Sequence, residues 1–157
     1  MPGPPLPKSH PSPALIAKLY INISVLYSSA RSLAKTQPSK STSGDAGVSD
    51  VHTELRHYLA DESAFSLAMA YKWLGVDAGE QDGKAGISVA FLKLAKEGLD
   101  SLREGKLRMM PRLKSIGTSP NDRAANKDRV VEEISAVKTF LHHYKGLNDS
   151  VSWQQTF

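Results

Sequence analysis

The run Gly79-Glu80-Gln81-Asp82-Gly83-Lys84 comes nearest to nucleotide chemistry in this 157-residue chain. A phosphate loop needs a first glycine where Ala78 stands, and a Ser or Thr for magnesium where Ala85 stands. No strand pattern precedes it, so nucleotide binding is not expected. Asp77, Glu80 and Asp82 bring three carboxylates into one short stretch. Paired carboxylates do acid–base work only where a cleft shifts a pKa. In an exposed turn they are solvated, and Asp82 is placed to cap the following helix. The histidines are His10, His52, His57, His142 and His143. Their spacing does not collect zinc ligands on one helix face, and the chain has no cysteine. No Gly-x-Ser-x-Gly elbow is present. The expectation is a protein that is not an enzyme and takes no cofactor or metal.

Lys106, Arg108, Arg112 and Lys114 form a basic run without an acid among them, interleaved with Met109 and Met110. Such a run suits an anionic lipid surface at about 1 kcal/mol per basic residue. It lacks the aromatic platform or groove-reading motif of a nucleic-acid site, so no nucleic-acid partner is expected. The bland reading is a solvated loop. The net charge of +4 says little about an acidic partner.

The elements that hold these residues read as helices. Ser12 and Pro13 make a helix start, with Ser as N-cap and Pro in the first turn. From there to Lys35, Leu15, Ile16, Leu19, Tyr20, Ile23, Leu26, Tyr27, Ala30, Leu33 and Ala34 recur at helical spacing. Ile21 and Val25 fall roughly opposite. A helix apolar on two sides must touch two things, its own core and a partner.

Three further helices are predicted, over about 49–75, 84–103 and 121–146. Gly75 would cap the second, and Ile87, Ala90, Phe91, Leu94, Ala95 and Leu102 would face inward on the third. Val130, Ile134, Val137, Leu141 and Tyr144 mark the buried face of the fourth, widened by Val131 and Phe140. Residues 1–12 are Pro-rich and read as extended or disordered. Residues 36–47 read as a flexible loop, 104–120 as the basic loop, 147–153 as extended, and 154–157 as a tail. With no period-two alternation, the fold class is an all-α antiparallel helical array. The start lacks a signal-peptide core, and no run approaches a membrane span. The sequons at Asn22 and Asn148 are discounted: the first lies in mid-helix, and nothing suggests secretion. A soluble intracellular protein is expected.

The runs Ala14–Leu19, Leu26–Lys35, Tyr71–Glu80 and Leu147–Trp153 stand in the order and spacing of BRO-one domains. Over about 13–153 the chain is similar to the C-terminal half of that family's domain, and most closely to its fungal pH-response regulators. The resemblance implies a curved, tetratricopeptide-like helical domain of about four main helices. It implies a non-enzymatic adaptor in ambient alkaline-pH signalling, at the plasma membrane or endosome. Such adaptors bind the C-terminal amphipathic helix of the ESCRT-III filament subunit. They act with other pH-signalling components to support proteolytic activation of the PacC transcription factor.

Family members read Ala-Ile-Ile-Ala-Lys-Leu in the contact helix, with the first Ile and the Leu touching the partner. Those positions are Leu15 and Leu19 here. The alternative function is a peripheral membrane scaffold acting through the basic loop. The resemblance also implies that the upstream half of the domain is not represented. Ile21 and Val25 are then expected to face something outside this chain.

Overall fold

The computed structural model describes residues 3–36, 46–109 and 120–154. Within them the chain forms four helices: α1 (Pro13–Thr36), α2 (Ala46–Gly79), α3 (Ala85–Met109) and α4 (Pro120–Gln154). No strand occurs among the described residues, so the protein is an all-α helical array.

Helix α1 starts as its sequence dictates. The Ser12 carbonyl accepts the first helical bond from Ile16 N at 3.1 Å, and Pro13 occupies the first turn, where a missing N–H costs nothing. Helix α2 runs one turn past Gly75, which therefore lies inside the helix. A Cβ there would meet Leu92 Cγ at 2.7 Å, so this glycine lets α3 approach rather than ending α2. The turn falls at 80–84 instead. Its Gly83 adopts φ of +76°, the left-handed conformation that glycine takes without a Cβ clash.

The helices run up and down, with α2 in the middle. Gly75 meets Leu92 while Gly98 meets Ala68, so α2 and α3 are antiparallel. Ion pairs join Glu62 to Arg129 and Lys72 to Glu133, so α4 runs parallel to α2. The core lies among α2, α3 and α4. It contains Phe65, Met69, Trp73 and Val76 from α2, Leu92, Leu99 and Leu102 from α3, and Val130, Ile134, Val137, Phe140 and Tyr144 from α4.

The inward face of α3 is rotated from the one that its bulky residues suggest. Ile87 and Leu94 are exposed, while Ser88, Leu92, Ala95 and Leu99 are buried. Close approach of α2 and α3 decides the phase: Gly75 and Gly98 create room for Leu92 and Ala68. On α4, Val130, Ile134, Val137 and Tyr144 of the expected line are buried with Phe140, Leu141 is half-buried against the core, and Val131 is exposed.

Besides α2, two helices extend beyond their expected ends. Helix α3 continues over Glu104–Met109, inside the stretch read as a loop, while 110–119 lie outside the described residues. Helix α4 continues through Leu147–Trp153, which the loss of period had marked as extended. No proline interrupts it, and Asn148 lies beside Gly86 at the start of α3, so packing carries the helix on. The expected loop over 36–47 falls largely, and the 154–157 tail after its first residue, outside the described residues. The Pro-rich start lies against the fold as far as it is described. Leu6 packs on the core, and His10 stacks on Trp73 with ring centroids 5.3 Å apart.

Candidate functional site

The chemistry-bearing turn is occupied with its own contacts. Gln81 Nε2 donates to Asp77 Oδ2 at 2.9 Å, Lys84 Nζ donates to Gln81 Oε1 at 2.6 Å, and the Tyr144 hydroxyl donates to Glu80 Oε1 at 2.6 Å. Burial, with Glu80 adding to it, pushes the Tyr144 phenol well above its ordinary value. Helix α3 takes its first carbonyl from Lys84, not from Asp82. Among the described residues no three His, Asp or Glu side chains come together as a metal site. Lys106 and Arg108 lie in the last turns of α3, and Arg112 and Lys114 lie outside the described residues. Among the described residues no helix is long and apolar enough to cross a membrane.

Helix α1 is different. Among the described residues it packs on α2 and on no other helix. Its buried line is built from small groups: Ala17 is fully covered, and Ser24 is 8% exposed. The Ser24 hydroxyl donates to the Ser63 carbonyl at 3.0 Å, and the Ser28 and Ser63 hydroxyls lie 2.9 Å apart. Small side chains let the two helices close up, and these bonds satisfy the hydroxyls that closure buries.

At 100° per residue, Leu15, Leu19, Leu26 and Leu33 share an arc of about 40°, nearly opposite Ala17 and Ser24. They face outward: Leu15 and Leu19 are each 54% exposed, and Leu26 and Leu33 each 69%. The single broad stripe of the sequence is thus two faces. Ile16 and Tyr20 pack against the core, and the four leucines do not. Ile21 and Val25, expected on a second outward side, are also exposed.

Beside this stripe the splay between α1 and α4 leaves a cleft of about 270 Å³. Tyr20, Ile23 and Tyr27 of α1 form one wall, and Arg129 and Glu133 of α4 the other. Glu62, Phe65, Ser66 and Met69 of α2 form the floor. The Arg129 guanidinium lies 4.0 Å over the centroid of the Phe65 ring, and its Nη2 donates to Glu62 Oε1 at 2.7 Å. Glu133 is paired with the buried Lys72. Desolvation lowers the Lys72 pKa, and Glu133 opposes that shift. Burial raises the Tyr20 phenol, with the Glu133 charge adding to it.

Sequence reasoning picked out Leu15 and Leu19, and the structure puts them side by side on the outer face. It did not single out Leu26 and Leu33 as their companions, nor the cleft. The available signal was Ala17 with the serines at 24 and 28. Small and polar residues on one side of an apolar helix mark the line of close approach, and so the opposite line as outward.

Fold and surface together define an all-α helical array whose edge helix presents an apolar outer face. By sequence the chain is similar to the pH-response regulator protein palC of Cryptococcus neoformans var. neoformans serotype D. The two are 36% identical over 179 aligned positions, covering 98% of this chain. The chain spans 37% of that relative's length. No family model matches the chain, and no solved structure matches it.

Proposed function

We propose that the chain is a non-enzymatic adaptor module of fungal ambient-pH signalling and belongs to a BRO-one-type helical domain. In this reading the outer face of α1 binds the C-terminal amphipathic helix of an ESCRT-III filament subunit. It acts with other pH-signalling components at a membrane surface to support proteolytic activation of the PacC transcription factor. The observation that carries it is the outward pair Leu15 and Leu19, each more than half exposed on a helix packed on one side only. The match to palC supports the pathway.

Residues four apart on a helix are surface neighbours, so Leu15 and Leu19 form one anchor point. Burying each against a partner helix contributes about 1.5–3 kcal/mol, the usual logic of a helix docked on an apolar groove. The test is titration of the purified chain with a synthetic peptide of the filament subunit's terminal helix. Leu15→Asp with Leu19→Asp is expected to weaken binding by at least about 100-fold, since each 1.4 kcal/mol is tenfold. Unchanged affinity in that double variant, with helicity intact by circular dichroism, removes this face as the site.

A further inference from the structure

Helix α1 carries a second periodicity within its leucine stripe. Leu19, Leu26 and Leu33 recur every seven residues, with Ile16, Ile23 and Ala30 three residues ahead of each. This is a heptad with Leu at every d and two isoleucines at a, a core that favours two strands. Ile16 packs against the protein's own core, so the outward seam begins at Leu19. Leu19, Ile23, Leu26 and Leu33 are all exposed, on a line almost opposite the one that α1 packs on α2. The ridge from Leu19 to Leu33 is about 21 Å long. Two heptads are short for a coiled coil of free peptides, which must first form their helices. Here α2 already holds α1 helical, so association does not incur that cost.

The flanks of the seam decide its occupant. A heptad seam selects a foreign helix through charges at its e and g positions, and rejects itself by like charges there. On α1 the e positions are Tyr20, Tyr27 and Ala34, and the g positions are Leu15, Asn22 and Ser29. None is charged. Helix α1 has no acidic residue, and its cations Lys18, Arg31 and Lys35 lie about 100° or more from the centre of the seam. Two copies therefore meet on apolar side chains, with no like charges brought together between them.

We infer that α1 pairs with α1 of a second copy through Leu19, Ile23, Leu26 and Leu33, and that this two-fold dimer covers the docking face. A two-fold contact is self-complementary, each ridge lying along its counterpart. The seam is small beside a standard interface, so the dimer is weak, with a Kd on the order of 10 μM. Its regulatory consequence rests on the docking role proposed for Leu15 and Leu19. Pairing and partner binding both use Leu19 and exclude one another, so the chain docks its partner as a monomer.

The test is sedimentation velocity on the full chain from about 1 to 300 μM, spanning the expected Kd. The mass should rise from 17.1 kDa to twice that value. Leu26→Asp puts a charge in the middle of the seam and is expected to stay monomeric throughout, with helicity intact by circular dichroism. Val25→Asp makes the same change on an exposed residue about 120° from the seam and should dimerise like wild type. A wild type that is monomeric at the highest concentration, species larger than a dimer, or equal weakening by Leu26→Asp and Val25→Asp overturns the pairing. A synthetic peptide of the filament subunit's terminal helix should then split the wild-type dimer into one-to-one complexes. Peptide bound to an intact dimer overturns the masking. A dimer that binds no peptide refutes the docking role and leaves the pairing in place, and a wild type that binds peptide but never dimerises does the reverse.

Discussion

At the scale of single residues, the most consequential side chain outside the docking surface is Lys72. Its side chain is fully buried, its Nζ is paired with Glu133, and it lies 5.2 Å from the centroid of the Trp73 ring. A buried ion pair contributes little relative to apolar residues of the same shape, but removing its carboxylate half is costly because the ammonium stays buried. Glu133 is 22% exposed, so some of its charge is screened. Glu133→Gln is therefore expected to destabilise the fold by about 2–4 kcal/mol near neutral pH. Lys72→Met should cost much less. Urea melts of the two variants decide it, and equal losses would mean that the buried charge is not the dominant cost. The deficit of Glu133→Gln should shrink as pH rises. Lys72 then loses its proton in the folded state at lower pH than in the unfolded chain, so deprotonation favours folding.

At the scale of elements, the contact between α2 and α3 is set by glycine. Gly75 sits inside α2 against Leu92. Gly75→Ala gains about 1 kcal/mol of intrinsic helix propensity. It also drives a Cβ to 2.7 Å from Leu92 Cγ, and overpacking costs about 1–3 kcal/mol. The crowded atom is a branch point rather than a flexible tip, so the overpacking should win. The expected result is a melting temperature a few degrees lower, read by thermal circular dichroism. A rise would show that α3 can move away.

The same contact explains what the sequence could and could not reveal. The existence of four helices follows from apolar spacing, and the start of α1 from Ser12 and Pro13. The rotation of α3 does not follow. Ile87 and Leu94 look like core by type, but the glycines that fix the register lie on two helices, at 75 and 98. Only tertiary contact shows that they pair with Leu92 and Ala68. The end of α4 was obscured for a related reason, since Asn148 is held against α3 rather than by its own periodicity. Within the candidate site, Leu15 and Leu19 were legible because a short motif and a four-residue spacing mark them. The cleft was not, because Tyr20, Phe65 and Arg129 belong to three helices and meet only through the splay of α1 from α4.

At the scale of the whole molecule, alkaline pH acts on the fold through opposing groups. Burial raises the phenols of Tyr144, Tyr20 and Tyr58, with nearby Glu80, Glu133 and Glu62 respectively adding to the shift. A raised tyrosine contributes stability that is fully present below the unfolded value near 10 and is lost as pH climbs towards the folded value. Above pH 10 the unfolded chain releases these protons first, and the strongly shifted Tyr144 lowers stability by up to about 1.4 kcal/mol per pH unit until its folded value is reached, while the more exposed Tyr58 contributes little.

Lys72 works the other way, because desolvation lowers its pKa. The folded state gains as pH rises from the lowered Lys72 value to about 10.5, the value in the unfolded chain, and beyond that Lys72 adds no slope. The two trends overlap only around pH 10. Urea midpoints are therefore expected to hold or rise slightly up to that point and to fall steeply above about 10.5. Tyr144→Phe should make the alkaline fall shallower, since its buried phenol, bonded to Glu80, is the most strongly shifted of the three. Lys72→Met should remove the rise below 10.5 and leave the fall in place. A midpoint that declines steadily from pH 8, or a Tyr144→Phe profile that overlays wild type, would show that these buried groups do not govern the alkaline limit of the fold.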